Sequence, residues 1–220
     1  MDQDKSYIAF FDLDDTLING NSGRLLLKTA YNEKIIKLAE VIKALWLSFL
    51  FRLRLRDTEK IIHGMVKWLA GVSENELNSL VKMAFTGTDS QLIHEPAKAE
   101  IKFHRDNNAL LVILSSALYP VCRTVADILM MDDIICTGLE IKDGKYSGKP
   151  SGRLCFGNEK KVRMTNYCEK INRSTEDAWF YSDSHTDIEA LKTAGHPVCV
   201  NPDRRLRKTA LKKGWLIYDW

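Results

Sequence analysis

The sequence predicts an α/β protein: a doubly wound, parallel, Rossmann-like sheet with a helical domain inserted after its first strand. Three observations lead there. Short apolar runs at 7–10, 109–114, 178–181 and 197–200 have the length and density of strands buried on both faces. From residue 97 onward such runs alternate with helical patterns, as parallel βαβ units do. Between the first run and the second, residues 22–95 carry apolar side chains at three- and four-residue spacing, the mark of amphipathic helices. The expected division is a core of residues 1–20 and 97–220, and a helical domain of residues 21–96.

The elements follow in order. Tyr7-Ile8-Ala9-Phe10 is the first strand. Helices are expected over 24–38, 40–51, 58–69 and 74–85. The last starts at a break, Gly71-Val72-Ser73-Glu74, with Ser73 as N-cap and Glu76 three residues on as its reciprocal partner. The character changes after Pro96. Residues 109–114 form a buried strand, 119–130 a helix, and 138–148 a hairpin turning at Asp143-Gly144. A helix at 160–171 leads to the strand at 178–181. A helix at 187–193, the strand at 197–200, a helix at 203–212 and a strand at 215–218 complete the chain. There is no internal repeat and no low-complexity segment.

Composition narrows the class. Of 220 residues, 45% are hydrophobic and 28% charged, the balance of an ordinary globular protein. The formal charge of +3 is too small to imply nucleic-acid binding. Cys122, Cys136, Cys155, Cys168 and Cys199 are odd in number and contain no CxxC pair, so neither a zinc site nor a disulfide framework is expected. Met1-Asp2-Gln3-Asp4-Lys5 leads straight into a strand pattern and not into a signal peptide. Both features suggest a cytoplasmic protein. The most apolar stretch, 41–51, is interrupted by Lys43 and falls short of the roughly 20 residues that a membrane span needs.

Ligands of an open α/β sheet bind beyond the carboxyl ends of the strands, and the chemistry concentrates there. The first strand runs into Phe11-Asp12-Leu13-Asp14-Asp15-Thr16-Leu17, which delivers Asp12 and Asp14 to its end. Two carboxylates so close favour a cation or a shared proton. They suit a site where one attacks and the other moves a proton. The second strand ends in Ser115-Ser116, whose hydroxyl and following N–H groups would hold a phosphate at a helix start. The strand at 178–181 ends in Ser182-Asp183-Ser184-His185-Thr186-Asp187, adding two carboxylates, and Lys160-Lys161 opens the helix before it. Each member alone has a structural explanation, as a turn, a cap or a solvated lysine. Together they form one set: carboxylates for a hard cation such as Mg²⁺, and cationic groups to offset a phosphoryl group beside a nucleophile.

These segments resemble the haloacid dehalogenase (HAD) superfamily, in its phosphoserine-phosphatase-like subfamily IB. The likeness rests on Phe11–Leu17, Leu114-Ser115-Ser116, Lys160 and Tyr181–Asp187, with Cys155-Phe156-Gly157 and the stretch from Gly195 to Asp203 adding to it. It implies a Mg²⁺-dependent phosphomonoester phosphatase. In that reading Asp12 is the nucleophile that becomes phosphorylated, and Asp14 is general acid and then base. Asp12, the Asp14 backbone carbonyl and Asp183 hold Mg²⁺, with Asp187 supporting. Ser115, Ser116 and Lys160 hold the phosphoryl oxygens. Lys160 is preferred to Lys161 because it shares a helical face with Met164, Tyr167, Cys168 and Ile171. The inserted helices stand where such enzymes carry a cap domain.

Two departures concern specificity. Asn21 stands where phosphoserine phosphatases carry a substrate-binding glutamate, and Thr186 where they carry asparagine. The expected substrate is therefore a small or amphiphilic phosphate monoester. A phosphoserine phosphatase proper, a phospholipid-phosphate phosphatase and a phosphoryl-transferring mutase are the enzymatic alternatives. An inactive scaffold binding a phospho-ligand or a membrane surface is the non-enzymatic one. Dehalogenation is not expected, since it does not call for the second aspartate and the metal cluster. His185 is expected near the ligands but not among them, because hard cations prefer oxygen. Residues 21–70 hold ten Lys or Arg and four Asp or Glu, a local charge of +6. The apolar run among them reads as the helical domain's own core with a solvated basic rim. Its alternative is a peripheral membrane contact through the cap.

Overall fold

A computed structural model describes residues 5–52, 61, 64–86 and 92–220. Strand β1 (Ile8–Phe11) is buried throughout, which explains its unbroken apolar run. It sits inside a six-stranded sheet with β2 (Leu110–Leu118) and β3 (Asp133–Thr137) on one side. An antiparallel hairpin of β4 (Leu139–Lys142) and β5 (Lys145–Pro150) lies outside that sheet and turns at Asp143-Gly144, both with positive φ. Strands β6 (Trp179–Ser182), β7 (His196–Val200) and β8 (Leu216–Tyr218) continue on the other side of β1. The order is β3-β2-β1-β6-β7-β8, and every neighbouring pair is parallel. The winding reverses between β1 and β6, which opens a crevice at their carboxyl ends.

Alternation along β1 divides the core. Ala9 and Phe11 face one apolar cluster, and Ile8 and Phe10 the other. The first cluster is roofed by α1 (Ser22–Asn32), α2 (Leu38–Arg52), α3 (Glu74–Thr86), α4 (Glu95–Asp106) and α5 (Tyr119–Leu129). The second is covered by α6 (Asn158–Lys170), α7 (Ile188–Thr193) and α8 (Arg204–Lys213). Ser73 and Glu76 form the reciprocal cap at the start of α3, with Ser73 N–H donating to Glu76 Oε2 at 2.8 Å. Of the helix expected over 58–69, residues 58–60, 62 and 63 lie outside the described residues, and 61 and 64–66 are helical. Its end is a short 3₁₀ turn at Lys67–Leu69, and Gly71 N–H and Tyr146 N–H tie the following loop to β5.

The structure corrects the reading in three places. Helix α4 begins one residue before Pro96, which read as a change of character but occupies the first turn, where its missing N–H costs nothing. Strand β3 carries two aspartates just before and at its start, which masked a short apolar core of Ile134 and Ile135. Over residues 41–49 the apolar run is only partly the interior of the helical insertion. Ala44 is buried, but Ile42, Leu45, Trp46 and Phe49 are exposed, Trp46 by 58%. Among the described residues, no helix is long and apolar enough to cross a membrane.

Candidate active site

Register brings the strand ends together. Phe11 lies level with Ile113 on β2 and with Tyr181 on β6. One step on, Asp12 therefore stands beside Leu114 and Ser182, and Asp12 N–H donates to Tyr181 O at 2.9 Å. Ser115 and Asp183 lie one residue further along the flanking strands. The chain after Asp12 turns sharply: Asp15 has φ of 53°, in the left-handed region, and donates its N–H to Gly20 O.

Lys160, not Lys161, reaches this point. It is buried, and its Nζ lies 2.9 Å from Asp12 Oδ1 and 2.6 Å from Asp187 Oδ2. Burial alone would lower its pKa, but the two carboxylates outweigh burial and raise it, so it remains an ammonium. Asp187 is also buried and accepts a hydrogen bond from Ser182 Oγ at 2.8 Å. Burial pushes the Asp187 carboxyl up, opposed by Lys160.

Asp14 is held apart from that network. Asn21 Nδ2 donates to its Oδ2 at 2.7 Å, and Ser22 N–H at the start of α1 donates to its Oδ1 at 2.9 Å. Burial raises its pKa to about 6, against the lowering effect of the Ser22 bonds. The two aspartates of the first motif thus differ in surroundings: one is paired with a buried ammonium, the other sits at a helix N-terminus.

Asp183 lies on the loop after β6. Burial raises its pKa to about 8, and the charges of Asp12, Asp15 and Asp187 add to the rise. Asp203 fixes this loop: its N–H donates to Asp183 O at 2.9 Å, and its Oδ2 accepts from His185 N–H at 2.7 Å. The same side chain caps α8 through Arg205 and Leu206 N–H. His185 Nδ1 is buried without a hydrogen-bond partner.

The phosphate-binding serines need a correction. Strand β2 continues to Leu118 and α5 starts only at Tyr119, so Ser115-Ser116 lies on extended chain and not at a helix start. Ser115 is buried and accepts from Ala117 N–H at 3.3 Å, whereas Ser116 is exposed. Among the described residues, no three His, Cys, Asp or Glu side chains gather as a cation site. The Asp14 carboxyl accepts from Asn21 and from Ser22 N–H, and Lys160 pairs with both Asp12 and Asp187. The candidate donors are Asp12, Asp183 and the Asp14 carbonyl, with Asp187 beside them. These are all oxygen donors, and Asp183 stands among the like charges of Asp12, Asp15 and Asp187, which a divalent cation would offset, so the residues fit Mg²⁺.

Ser22 and Asp203 escaped the sequence reading as site residues, and Asn21 entered it only as a specificity position and not as a partner of Asp14. Asn21 and Asp203 each carried a signal, as cap-type residues ahead of a helix. What each cap also grips depends on the fold. A surface hollow of about 470 Å³ lies at the other end of the sheet beside His196 and Trp215 and contains none of these groups.

A family profile described as haloacid dehalogenase-like hydrolase matches residues 9–192. A probable phosphatase of Mycobacterium tuberculosis is 28% identical over 215 residues, covering 96% of this chain and 75% of that protein. A histidinol-phosphatase of Neisseria meningitidis serogroup C is 26% identical over 219 residues, covering 97% and 98%. A substrate-bound phosphoserine phosphatase superimposes with a TM-score of 0.73 at 17% identity, covering 99% and 95%, and shares the fold.

Proposed function

Since the chain belongs to the haloacid dehalogenase-like hydrolase family and is an enzyme of phosphatase type, we propose that it hydrolyses phosphate monoesters through an aspartyl-phosphate on Asp12, with Mg²⁺. The observation that carries the reading is the pairing of Asp12 with the buried Lys160 ammonium at the crevice, 2.9 Å apart, while Asp14 is held separately by α1. Two neighbouring carboxylates in unlike environments can take unlike roles.

In this mechanism an oxygen of Asp12 attacks phosphorus and the bond to the ester oxygen breaks. Asp14 gives a proton to that leaving oxygen. Water then attacks the acyl-phosphate, Asp14 takes its proton, and phosphate departs with Asp12 restored. Lys160 and the Ser115 hydroxyl offset charge on the phosphoryl oxygens. Asp12, Asp183 and the Asp14 carbonyl would hold Mg²⁺, which supplies further charge neutralisation at the phosphoryl group. The division into a core, 1–20 and 97–220, and a cap, 21–96, belongs to the same proposal. Its support is that the helical block opens with α1 at Ser22, whose N–H donates to the Asp14 carboxylate of the core.

The substrate is read as a small or amphiphilic monoester. Asn21 carries no charge for a substrate ammonium, and its side chain is engaged on both sides, donating to Asp14 and accepting from Arg24 N–H at 3.0 Å. That disfavours phosphoserine. Hydrolysis of a chromogenic phosphate ester should require Mg²⁺ and cease with EDTA, and Asp12→Asn should be inactive while the protein stays folded. Near-wild-type turnover by Asp12→Asn would refute the covalent route. A panel containing phosphoserine, histidinol phosphate and lipid phosphates tests the substrate, and selective hydrolysis of phosphoserine would overturn that part.

A further inference from the structure

We propose that the exposed apolar face of α2 docks this protein on an anionic membrane surface. Leu38, Ile42, Leu45, Trp46 and Phe49 recur at four-, three-, one- and three-residue steps, which puts them on one side of the helix. All five are exposed, and Tyr31 and Ile35 in the approach to α2 are exposed as well. The Trp46 and Phe49 rings lie 5.8 Å apart, so the aromatic pair is contiguous. The buried side of α2 is a different one: Ala44 is covered, and Val41 and Ser48 are partly covered, by the rest of the protein. A helix apolar on every side is ordinarily enclosed. Contiguous exposed apolar surface marks a partner.

Charge selects the partner. Lys28 on α1, Lys34 and Lys37 in the connection into α2 and Lys43 on α2 itself are all exposed. Residues 22–49 contain five Lys or Arg against Glu33 and Glu40, a net +3. A second copy docked face to face would set these cations against one another. A surface of anionic headgroups over acyl chains offers the complement to both features, and Trp, Tyr and Phe beside Lys suit that boundary. Among the described residues no helix is long and apolar enough to cross a membrane, so α2 would lie in the interface plane. Helix α1 rises about 16 Å over its eleven residues, from the cap that holds Asp14 to Tyr31 beside the apolar face. The crevice would then stand roughly one short helix from the lipid. The inference does not depend on the catalytic reading.

Co-sedimentation of the full chain with vesicles tests it, using phosphatidylcholine alone and phosphatidylcholine mixed in equal parts with phosphatidylglycerol. Binding is expected to the mixed vesicles only. It should fall as ionic strength rises from about 0.1 M to about 1 M, where the screening length shrinks from about 10 Å to about 3 Å. The double substitution Trp46→Ser, Phe49→Ser should weaken binding about tenfold or more, since two aromatic side chains no longer leave water. A second variant, Lys34→Glu, Lys37→Glu, Lys43→Glu, should weaken it at low salt while leaving the melting temperature and soluble-ester turnover as in wild type. Three results would each overturn the proposal. One is no sedimentation of the wild type with mixed vesicles. Another is binding indifferent to both variants. The third is a concentration-dependent dimer that Trp46→Ser, Phe49→Ser dissolves, which would assign the face to a second copy.

Discussion

Replacing Lys160 by methionine removes the one buried ammonium at the strand ends and keeps most of its volume. At the observed separations, 2.9 Å to Asp12 and 2.6 Å to Asp187, each ion pair has a Coulomb energy of about 6 kcal/mol at an effective dielectric constant near 20. The lysine's own desolvation offsets much of that. What the variant loses is set by the stranded carboxylates, and breaking a buried pair on one side costs about 3–5 kcal/mol. For a chain of this size that lowers the melting temperature by roughly 6–20 °C. The loss should grow with pH. Asp187 is already pushed above the ordinary carboxyl range by burial, and without Lys160 it rises further. A carboxyl whose native pKa is raised contributes stability below the unfolded value, near 4, and loses it as pH rises through the native value. Urea unfolding at pH 5 and pH 8 should therefore show the larger deficit at pH 8. Adding Asp187→Asn should restore part of the stability but none of the activity, with kcat/KM down by about 10²–10³ or more in both variants. A deficit independent of pH, or one that Asp187→Asn fails to relieve, would refute the electrostatic account.

Other consequences follow from separate parts of the fold. Asp14→Asn should slow turnover of the chromogenic ester by about 10²–10⁴, as loss of proton transfer does, while circular dichroism stays unchanged; turnover within a few-fold of wild type would remove Asp14 from the mechanism. His104 is buried between Tyr7 and Tyr181, at 2.9 and 2.7 Å, and burial lowers its pKa to about 4. A histidine kept neutral stabilises fully above its unfolded value, near 6.5, so stability from this group should fall as pH drops from about 6.5 to about 4. His104→Gln should flatten that part of a melting curve series against pH. At Gly195 an added Cβ would lie 1.6 Å from Glu176 O, and a backbone carbonyl cannot yield as a side chain can. Gly195→Ala should therefore destabilise by at least about 1–3 kcal/mol in urea, and an unchanged midpoint would contradict the packing described.

Much of this protein was legible in the linear chain because its signals are local. Runs such as Ile8–Phe11 and Leu110–Leu114 announce buried strands by density alone, and Asp143-Gly144 announces a hairpin because few other pairs tolerate two positive φ values. The strand-end chemistry was legible too, since a parallel sheet carries the carboxyl ends of neighbouring strands to one edge whatever the details of packing. Tertiary structure decided how those residues share their partners. Lys160 and Lys161 are adjacent in sequence, but only one points beneath the sheet edge, where two carboxylates hold it. The Asp14 carboxyl faces Asn21 and Ser22, whereas Asp12 and Asp187 face Lys160, so aspartates alike in sequence differ in what surrounds each. The apolar run of α2 shows the same limit from the other side: hydrophobicity is a property of the residue, but its burial depends on whether another surface arrives to cover it, and around Trp46 and Phe49 none of the described chain does.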